Sequence, residues 1–375
     1  MSKTLIYADH AATTVLSPTA KEAMEPFLLA AYGNPATLYS LARDPRKAIA
    51  HSREIVAAAI HSDPSEIYFT SGGTEADNWA IKGTAFQHAP GKRILTSAIE
   101  HHAVLNCCTA LWRMGYPTTI LSVDSEGIVG SATLKDAVTP ETVLASVMLA
   151  NNEIGTINPI RELATVAHEK GVLFHTDAVQ AVGHIPVNVN ELQVDMLSAS
   201  AHKFNGPKGV GFLYVRNGTK LLPLIDGGGQ ERGMRSGTEN VAGIVGMATA
   251  LQEHVDQLEQ ESSYLNNLTD RFLGQLRQHH LDFRTNGSAH RIPGSISLSF
   301  KDADGEMLLH RLDLMGTAVA TGSACNSKES EVSHVIRAIK VPQEYAHGTI
   351  RITLGMDNTE GQVDIIAKQI ATILS

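Results

Sequence analysis

Short apolar runs that close on small or polar clusters recur through the first half of this chain. Ile67-Tyr68-Phe69-Thr70 leads into Ser71-Gly72-Gly73-Thr74, Lys92-Arg93-Ile94-Leu95-Thr96 into Glu100-His101-His102, and Val143 to Ala150 into Asn151-Asn152-Glu153. Gly171-Val172-Leu173-Phe174-His175 then runs into Asp177-Ala178-Val179-Gln180, and Asp195-Met196-Leu197-Ser198-Ala199 into Ser200-Ala201-His202-Lys203. Such runs, alternating with helical stretches, predict an α/β domain built on a mostly parallel sheet. In open sheets of that kind ligands bind beyond the carboxyl ends of the strands, so these polar clusters are where chemistry is to be sought.

Past about Glu239 the pattern becomes one long, charged, helix-prone stretch through Gln252, Asp256, Glu259 and Arg271, suited to a helix that links two domains. Beyond it, Ser295-Ile296-Ser297-Leu298-Ser299-Phe300 and Thr349-Ile350-Arg351-Ile352-Thr353-Leu354 alternate with strand periodicity. The second run sets Arg351 opposite Ile350, Ile352 and Leu354, so its guanidinium should leave the buried face. Near the start, Ser17-Pro18 reads as an N-cap followed by proline in the first helical turn.

At 375 residues the chain exceeds the ~100–200 of one domain, which favours a large domain and a smaller one. No apolar run reaches the ~18–20 residues of a membrane span, and the N-terminus lacks the pattern of a secretory signal, so the expectation is a cytoplasmic protein with no membrane association. A net charge of −9 disfavours broad electrostatic capture of nucleic acid. Cys107, Cys108 and Cys325 make a poor disulfide framework, and no metal site is expected, because His101, His102, Cys107 and Cys108 match no common zinc spacing. Cys107 and Cys108 read as core thiols on a helix.

Ser71-Gly72-Gly73-Thr74-Glu75, between strand and helix, offers backbone N–H groups and a helix dipole to a phosphate, though by itself it reads equally well as a tight turn. Alone, Lys203 is more often a solvated loop lysine and Asp177 more often a helix cap. Together they change the picture. A phosphate loop, a strand-end aspartate and a downstream lysine are the three contacts pyridoxal phosphate needs: an anchor, a partner for the ring nitrogen and an amine that forms the Schiff base.

Further segments stand in order along the chain: Tyr7-Ala8-Asp9-His10-Ala11-Ala12-Thr13-Thr14, Gly33-Asn34-Pro35, Ser71 to Asn78, Glu100-His101-His102, and Asn151-Asn152-Glu153-Ile154-Gly155. His175 to Gln180, Ser200-Ala201-His202-Lys203, Arg232 to Thr238, Gly322-Ser323-Ala324-Cys325 and Ile350 to Gly355 complete the set. Over nearly its whole length the chain resembles the cysteine desulfurases of the NifS/IscS type, within the class V aminotransferases of the fold-type I pyridoxal-phosphate enzymes. The resemblance implies a large domain over 14–255 with a mostly parallel seven-stranded sheet, and a smaller α+β domain from 1–13 and 256–375 that carries a cysteine loop.

It further implies that Lys203 binds the cofactor, that Asp177 pairs with the ring nitrogen, and that Gly73, Thr74, Ser200 and His202 hold the phosphate. His101 would stack on the ring and shuttle protons, while Asn152 and Gln180 bond its phenolic oxygen. Thr238 would reach the phosphate in the partner subunit of a homodimer. Arg351, supported by Asn34, would grip the substrate carboxylate. After Gly33-Asn34-Pro35 the chain departs from the family's serines, histidine and glycine, with Ala36, Thr37, Tyr39 and Ala42.

Gly322 to Lys328 is a small, polar setting that suits an exposed, reactive thiol at Cys325. The implied reaction converts L-cysteine to L-alanine, with Lys203 as the base at Cα and Cys325 taking the sulfur as a persulfide. The segment from Cys325 to Ile339 has the length of a long cysteine loop, which suits delivery to acceptor proteins: iron–sulfur scaffolds, tRNA thiolation enzymes or DNA phosphorothioation machinery. A selenocysteine lyase would use nearly the same site. Another class V enzyme would not need Cys325, and a non-catalytic sulfur-transfer scaffold would not need Lys203 and Asp177.

Overall fold

The computed structural model describes residues 5–322 and 332–375. The chain opens on a short strand, β1 (Ile6–Tyr7), followed by helices α1 (Pro18–Leu29) and α2 (Arg43–Ala59). As the sequence suggested, Ser17 caps α1 by accepting the Ala20 N–H at 3.0 Å, with Pro18 at the first helical position. Strand and helix then alternate: β2 (Ile67–Thr70), α3 (Gly73–Ala85), β3 (Arg93–Ser97), α4 (His102–Arg113), β4 (Thr118–Leu121) and α5 (Ser131–Ala137). The alternation continues through β5 (Thr142–Ser146), α6 (Ile160–His168), β6 (Leu173–Asp177), α7 (Val189–Leu192), β7 (Met196–Ser200) and β8 (Gly211–Val215).

These strands form one seven-stranded sheet in the order β2-β8-β7-β6-β5-β3-β4. Pairings from β7 across to β4 are parallel, whereas β8 runs antiparallel to both β7 and β2. The expected mostly parallel sheet is therefore present, with one antiparallel strand, β8, next to its edge. At the β2 to α3 corner Gly72 adopts φ +147°, a backbone conformation that L side chains rarely take. A Cβ on Gly211 of β8 would stand only 2.8 Å from the Gly72 Cα. Glycine at position 211 is what lets β8 pass close behind this corner.

Helix α8 (Val241–Gln278) runs 38 residues, roughly 57 Å at 1.5 Å per residue. Its first half packs Ile244, Met247 and Leu251 into the apolar core around the large sheet, and its second half packs Leu265, Leu268, Phe272 and Leu276 into a separate core. That second core covers a three-stranded antiparallel sheet, formed after α8 by β9 (Phe283–Thr285) and β10 (Ser295–Phe300) and completed later in the chain. Next come α9 (Gly305–Leu314), β11 (Thr317–Ala318), α10 (His334–Ala338), α11 (Gln343–Ala346), the third strand β12 (Thr349–Thr353), and α12 (Glu360–Leu374). Strand β1 pairs in parallel with β11, tying the N-terminus to this part of the fold. No helix of the described residues is long and apolar enough to cross a membrane.

In β10 and β12 the alternation does not separate core from solvent. Ile296, Leu298, Phe300, Ile350 and Ile352 enter the second core, but Ser297, Ser299 and Arg351 on the other face are buried too. The polar face is dry because it is internally satisfied: the Asn286 amide donates to Ser297 Oγ (3.2 Å) and Ser299 Oγ (2.8 Å). The segment expected to be loop as far as Ile339 is also partly structured, since α10 begins at His334 and Ile336 and Ile339 join the large core.

Truncating Phe272, fully buried at the middle of the second core, should cost about 3–5 kcal/mol. Urea unfolding of Phe272→Ala checks this, with a lowered midpoint expected at an unchanged slope.

Candidate active site

The carboxyl ends of β6 and β7, the start of α3 and the turn after β3 converge on one cavity of about 400 Å³. Strand β3 has β4 on one side and β5 on the other, so the order of the sheet reverses there, and His101 follows directly. Lys203, Asp177, Gly73, Thr74, His101, Asn152, Gln180, Ser200, His202 and Arg351 all line the cavity. Residues more than a hundred positions apart in sequence are thus brought together.

Lys203 sits in the short helical turn after β7, and its Nζ donates to the carbonyls of Ala11 (2.6 Å) and Ala12 (2.8 Å). The Gln180 amide also donates to Ala11 O, at 3.0 Å. Asp177, at the end of β6, is buried and accepts the Val179 N–H at 2.9 Å. Burial raises its carboxyl to about 6, with the Val179 N–H and the Lys203 charge working the other way. Behind it lies Asp77, whose carboxyl is pushed well up by burial and by Asp177 itself. Two neighbouring buried carboxyls cannot both carry charge, so Asp77 keeps its proton and Asp177, with the better partners, carries the negative charge.

His101 caps α4, its Nδ1 accepting the Ala103 N–H at 3.1 Å. That bond places the proton of the neutral ring on Nε2. Burial, Lys203 and His102 lower the imidazole to about 4, so it is neutral at ordinary pH. Helix α3 begins at Gly73 with no side chain capping it, leaving its first N–H groups to face the cavity end formed by Thr74, Ser200 and His202. A Cβ at Gly73 would collide with Val179 Cγ2, so only glycine leaves this helix end open. Lys208 stands at the adjoining recess and, after burial and Lys203, helps lower His202 to about 4.

Arg351 leaves the apolar side of β12, as expected, but enters the cavity rather than solvent. Its guanidinium donates to Asp9 Oδ1 (2.6 Å) and to Asn152 O (2.9 Å), and its Nε, although buried, has no partner among the described residues. Asn34 is not brought here: its side chain accepts the Ala36 N–H at 2.9 Å within its own turn. Thr238 is exposed and does not line the cavity of its own chain. Cys325 lies outside the described residues, three positions beyond Gly322, which does line the cavity. Cys107 and Cys108 are buried in α4, where burial pushes both thiols up to about 12.

A model of the aminotransferase class-V family matches residues 6–366. A cysteine desulfurase IscS from Dictyoglomus turgidum is 52% identical over 357 residues, which is 95% of this chain and 91% of that protein. Among solved structures, a NifS-like protein superposes with a TM-score of 0.93 at 38% identity, covering 99% of both chains. The chain belongs to the class V aminotransferases, among the cysteine desulfurases of the NifS/IscS type. A solved SspA in complex with cysteine is also similar, with a TM-score of 0.84 at 34% identity over 93% of this chain and 99% of that one.

The cofactor of this desulfurase is pyridoxal phosphate, and the cavity fits it. An uncapped helix end kept open by glycine suits the phosphate, a charged buried carboxylate suits a protonated ring nitrogen, and a lysine amine stands on the same wall. Several cavity residues had no role from sequence reasoning: Asp9, Asp77, Glu153 and His334. The first three lie inside matched segments, so position in the motif was their only signal; His334 had none.

Glu100 lies beneath the cavity, accepting the Ser97 hydroxyl (2.5 Å) and the Met148 N–H (2.9 Å), and burial raises it to about 8. The unfolded chain releases this proton near the ordinary 4.5, whereas the folded chain keeps it to about 8, so rising pH in that window favours unfolding. Glu100→Gln should remove that contribution. Denaturation at a series of pH values should show the wild type losing stability relative to Glu100→Gln as pH rises through the window, and parallel curves would contradict a protonated Glu100.

Proposed function

We propose that this desulfurase takes sulfur from L-cysteine, releases L-alanine, and holds the sulfur as a persulfide on Cys325 until an acceptor protein collects it. The observation that carries the reading is a single cavity holding the Lys203 amine, the Asp177 carboxylate, the open end of α3 and the Arg351 guanidinium. The solved SspA, described with bound cysteine, supports L-cysteine as the substrate.

Pyridoxal phosphate, when bound, supplies an electron sink for the bonds at the substrate Cα. Lys203 would hold it through Nζ and would serve as the base that takes the Cα proton. Asp177 would keep the ring nitrogen protonated. Gly73, Thr74, Ser200 and His202 would hold the phosphate, and Asn152 and Gln180 would bond the phenolic oxygen. His101 would stand against the ring, with its Nε2 proton available for transfer. Arg351 grips the substrate carboxylate through parallel hydrogen bonds, with Asp9 fixing the plane of the guanidinium.

Cys325 follows Gly322 closely enough that covalent geometry alone keeps their Cα atoms within about 11 Å. Its thiolate forms a bond to the substrate sulfur as the carbon–sulfur bond breaks. The electron pair of that bond stays with the three-carbon skeleton, which gains a proton at Cβ, regains one at Cα from Lys203 and leaves as alanine. Thr238, exposed on its own chain, is assigned to the phosphate of the partner subunit in a homodimer. The acceptor is a protein of iron–sulfur cluster assembly or of thiolation.

Two variants separate the parts. Lys203→Ala should lose the visible absorbance of covalently held cofactor, and a wild-type spectrum would remove Lys203 from its role. Cys325→Ala should keep that spectrum yet release sulfur from L-cysteine at least ~100-fold more slowly. Turnover at the wild-type rate would remove Cys325 from the reaction.

A further inference from the structure

Glu153 is buried in the cavity wall and had no part in the assignments above. It stands in the turn after β5, which is held rigidly: Asn151 Oδ1 accepts the N–H groups of Glu153 (2.8 Å) and Ile154 (3.0 Å), and the Asn151 amide donates to Ile99 O at 2.7 Å. From this turn the Glu153 carboxylate reaches two stretches of chain remote in sequence. Ser333 Oγ donates to Glu153 Oε2 at 2.6 Å. Gly322 packs so closely that a Cβ there would collide with the same oxygen and approach Ser333 Cβ to 2.8 Å.

Gly322 and Ser333 flank the segment that carries Cys325. A single carboxylate thus meets the chain on both sides of that segment, on the turn whose neighbouring carbonyl, Asn152 O, also holds Arg351. Resting on the reading of Cys325 given above, we infer that Glu153 is a positioning residue for sulfur transfer, pinning to the cavity wall the two points between which the sulfur-accepting cysteine is carried. Reaction rate depends on how often the thiol meets the substrate sulfur in the right geometry, and fixed ends raise that frequency without touching substrate. The Glu153 to Ser333 bond therefore belongs to the transfer step, and L-cysteine binding does not depend on it.

Ser333 also caps α10, its Oγ accepting the Val335 N–H at 3.1 Å, so the test must separate cap from tie. Ser333→Ala loses both. Measured at about pH 9, where Glu153 has lost its proton, Ser333→Asp keeps a cap acceptor but leaves no proton to bridge the two carboxylates, and Ser333→Thr keeps both. The holoenzymes would be mixed rapidly with L-cysteine, following binding by the change in cofactor absorbance and transfer by the mass of the Cys325 peptide in quenched samples.

The expected result is transfer slowed ~10-fold or more in Ser333→Ala and Ser333→Asp, with affinity for L-cysteine within about twofold and Ser333→Thr close to wild type. Wild-type transfer in Ser333→Asp, or binding weakened as much as transfer, overturns the proposal. Glu153→Gln and Glu153→Leu put the same question from the other side should Ser333→Asp fail to fold. Glutamine keeps an oxygen acceptor and the rate, whereas leucine loses both, and a wild-type rate in Glu153→Leu is equally contrary. If the wild-type enzyme itself places no sulfur on Cys325, the reading of Cys325 falls and the tie falls with it.

Discussion

The site depends on where residues 8–14 are laid. Ala8 is buried in the second core and its carbonyl accepts the Thr353 N–H (2.9 Å), while Thr14 N–H donates to His202 O (2.9 Å) beside the large sheet. Between these two anchors the segment crosses the cavity mouth. Ala11 O receives both Lys203 Nζ and the Gln180 amide, and Asp9 receives Arg351. One stretch of backbone therefore sets the distance between the amine assigned to the cofactor and the guanidinium assigned to the substrate. These backbone acceptors also give Lys203 directed partners while the amine is unreacted.

Charge in the cavity is economical. Four buried carboxyls surround it, but burial holds protons on Asp77 and Glu100, and raises Glu153 to about 7 despite Ser333 and Arg351. Burial likewise lowers His101, His202 and His334. His175 is pressed down to about 3 by burial and bonded through its two nitrogens to Ser146 Oγ (2.8 Å) and Ser198 Oγ (2.9 Å). Its 3.7 Å approach to Asp77 is therefore not an ion pair, since the distance is too long for a hydrogen bond and the ring is neutral. What remains is negative charge at Asp177, which suits a cationic ring, and at the other side the Arg351 guanidinium, held by Asp9 and placed to receive an anionic substrate.

Much of this was legible in the sequence, and the failures have physical causes. Apolar runs ending in polar clusters located β2, β3, β5, β6 and β7, because a buried parallel strand must be apolar until it reaches the ligand crevice. Strand β8 was not singled out: it lies between β2 and β7, antiparallel to both, with no polar cluster after it. Alternation found β10 and β12 but not the burial of their polar faces, which comes from Asn286 and from the cavity, both brought in from elsewhere in the chain. Most of the polar residues that line the cavity were legible as motifs. The Asp9 to Arg351 and Glu153 to Ser333 bonds were not, because residues separated by 342 and 180 positions meet only once the fold is formed.

The central claim is that one cavity divides the work: Lys203 and its neighbours loosen the substrate's bonds, and Cys325 alone takes the sulfur. Its most direct measurement is a single turnover of the holoenzyme with L-cysteine and no reductant, with alanine quantified and each cysteine peptide weighed. The account predicts one alanine per added sulfur, with the sulfur on the Cys325 peptide and none on the peptide of Cys107 and Cys108. Alanine formed with no added sulfur on Cys325, or sulfur on the buried pair, would contradict it.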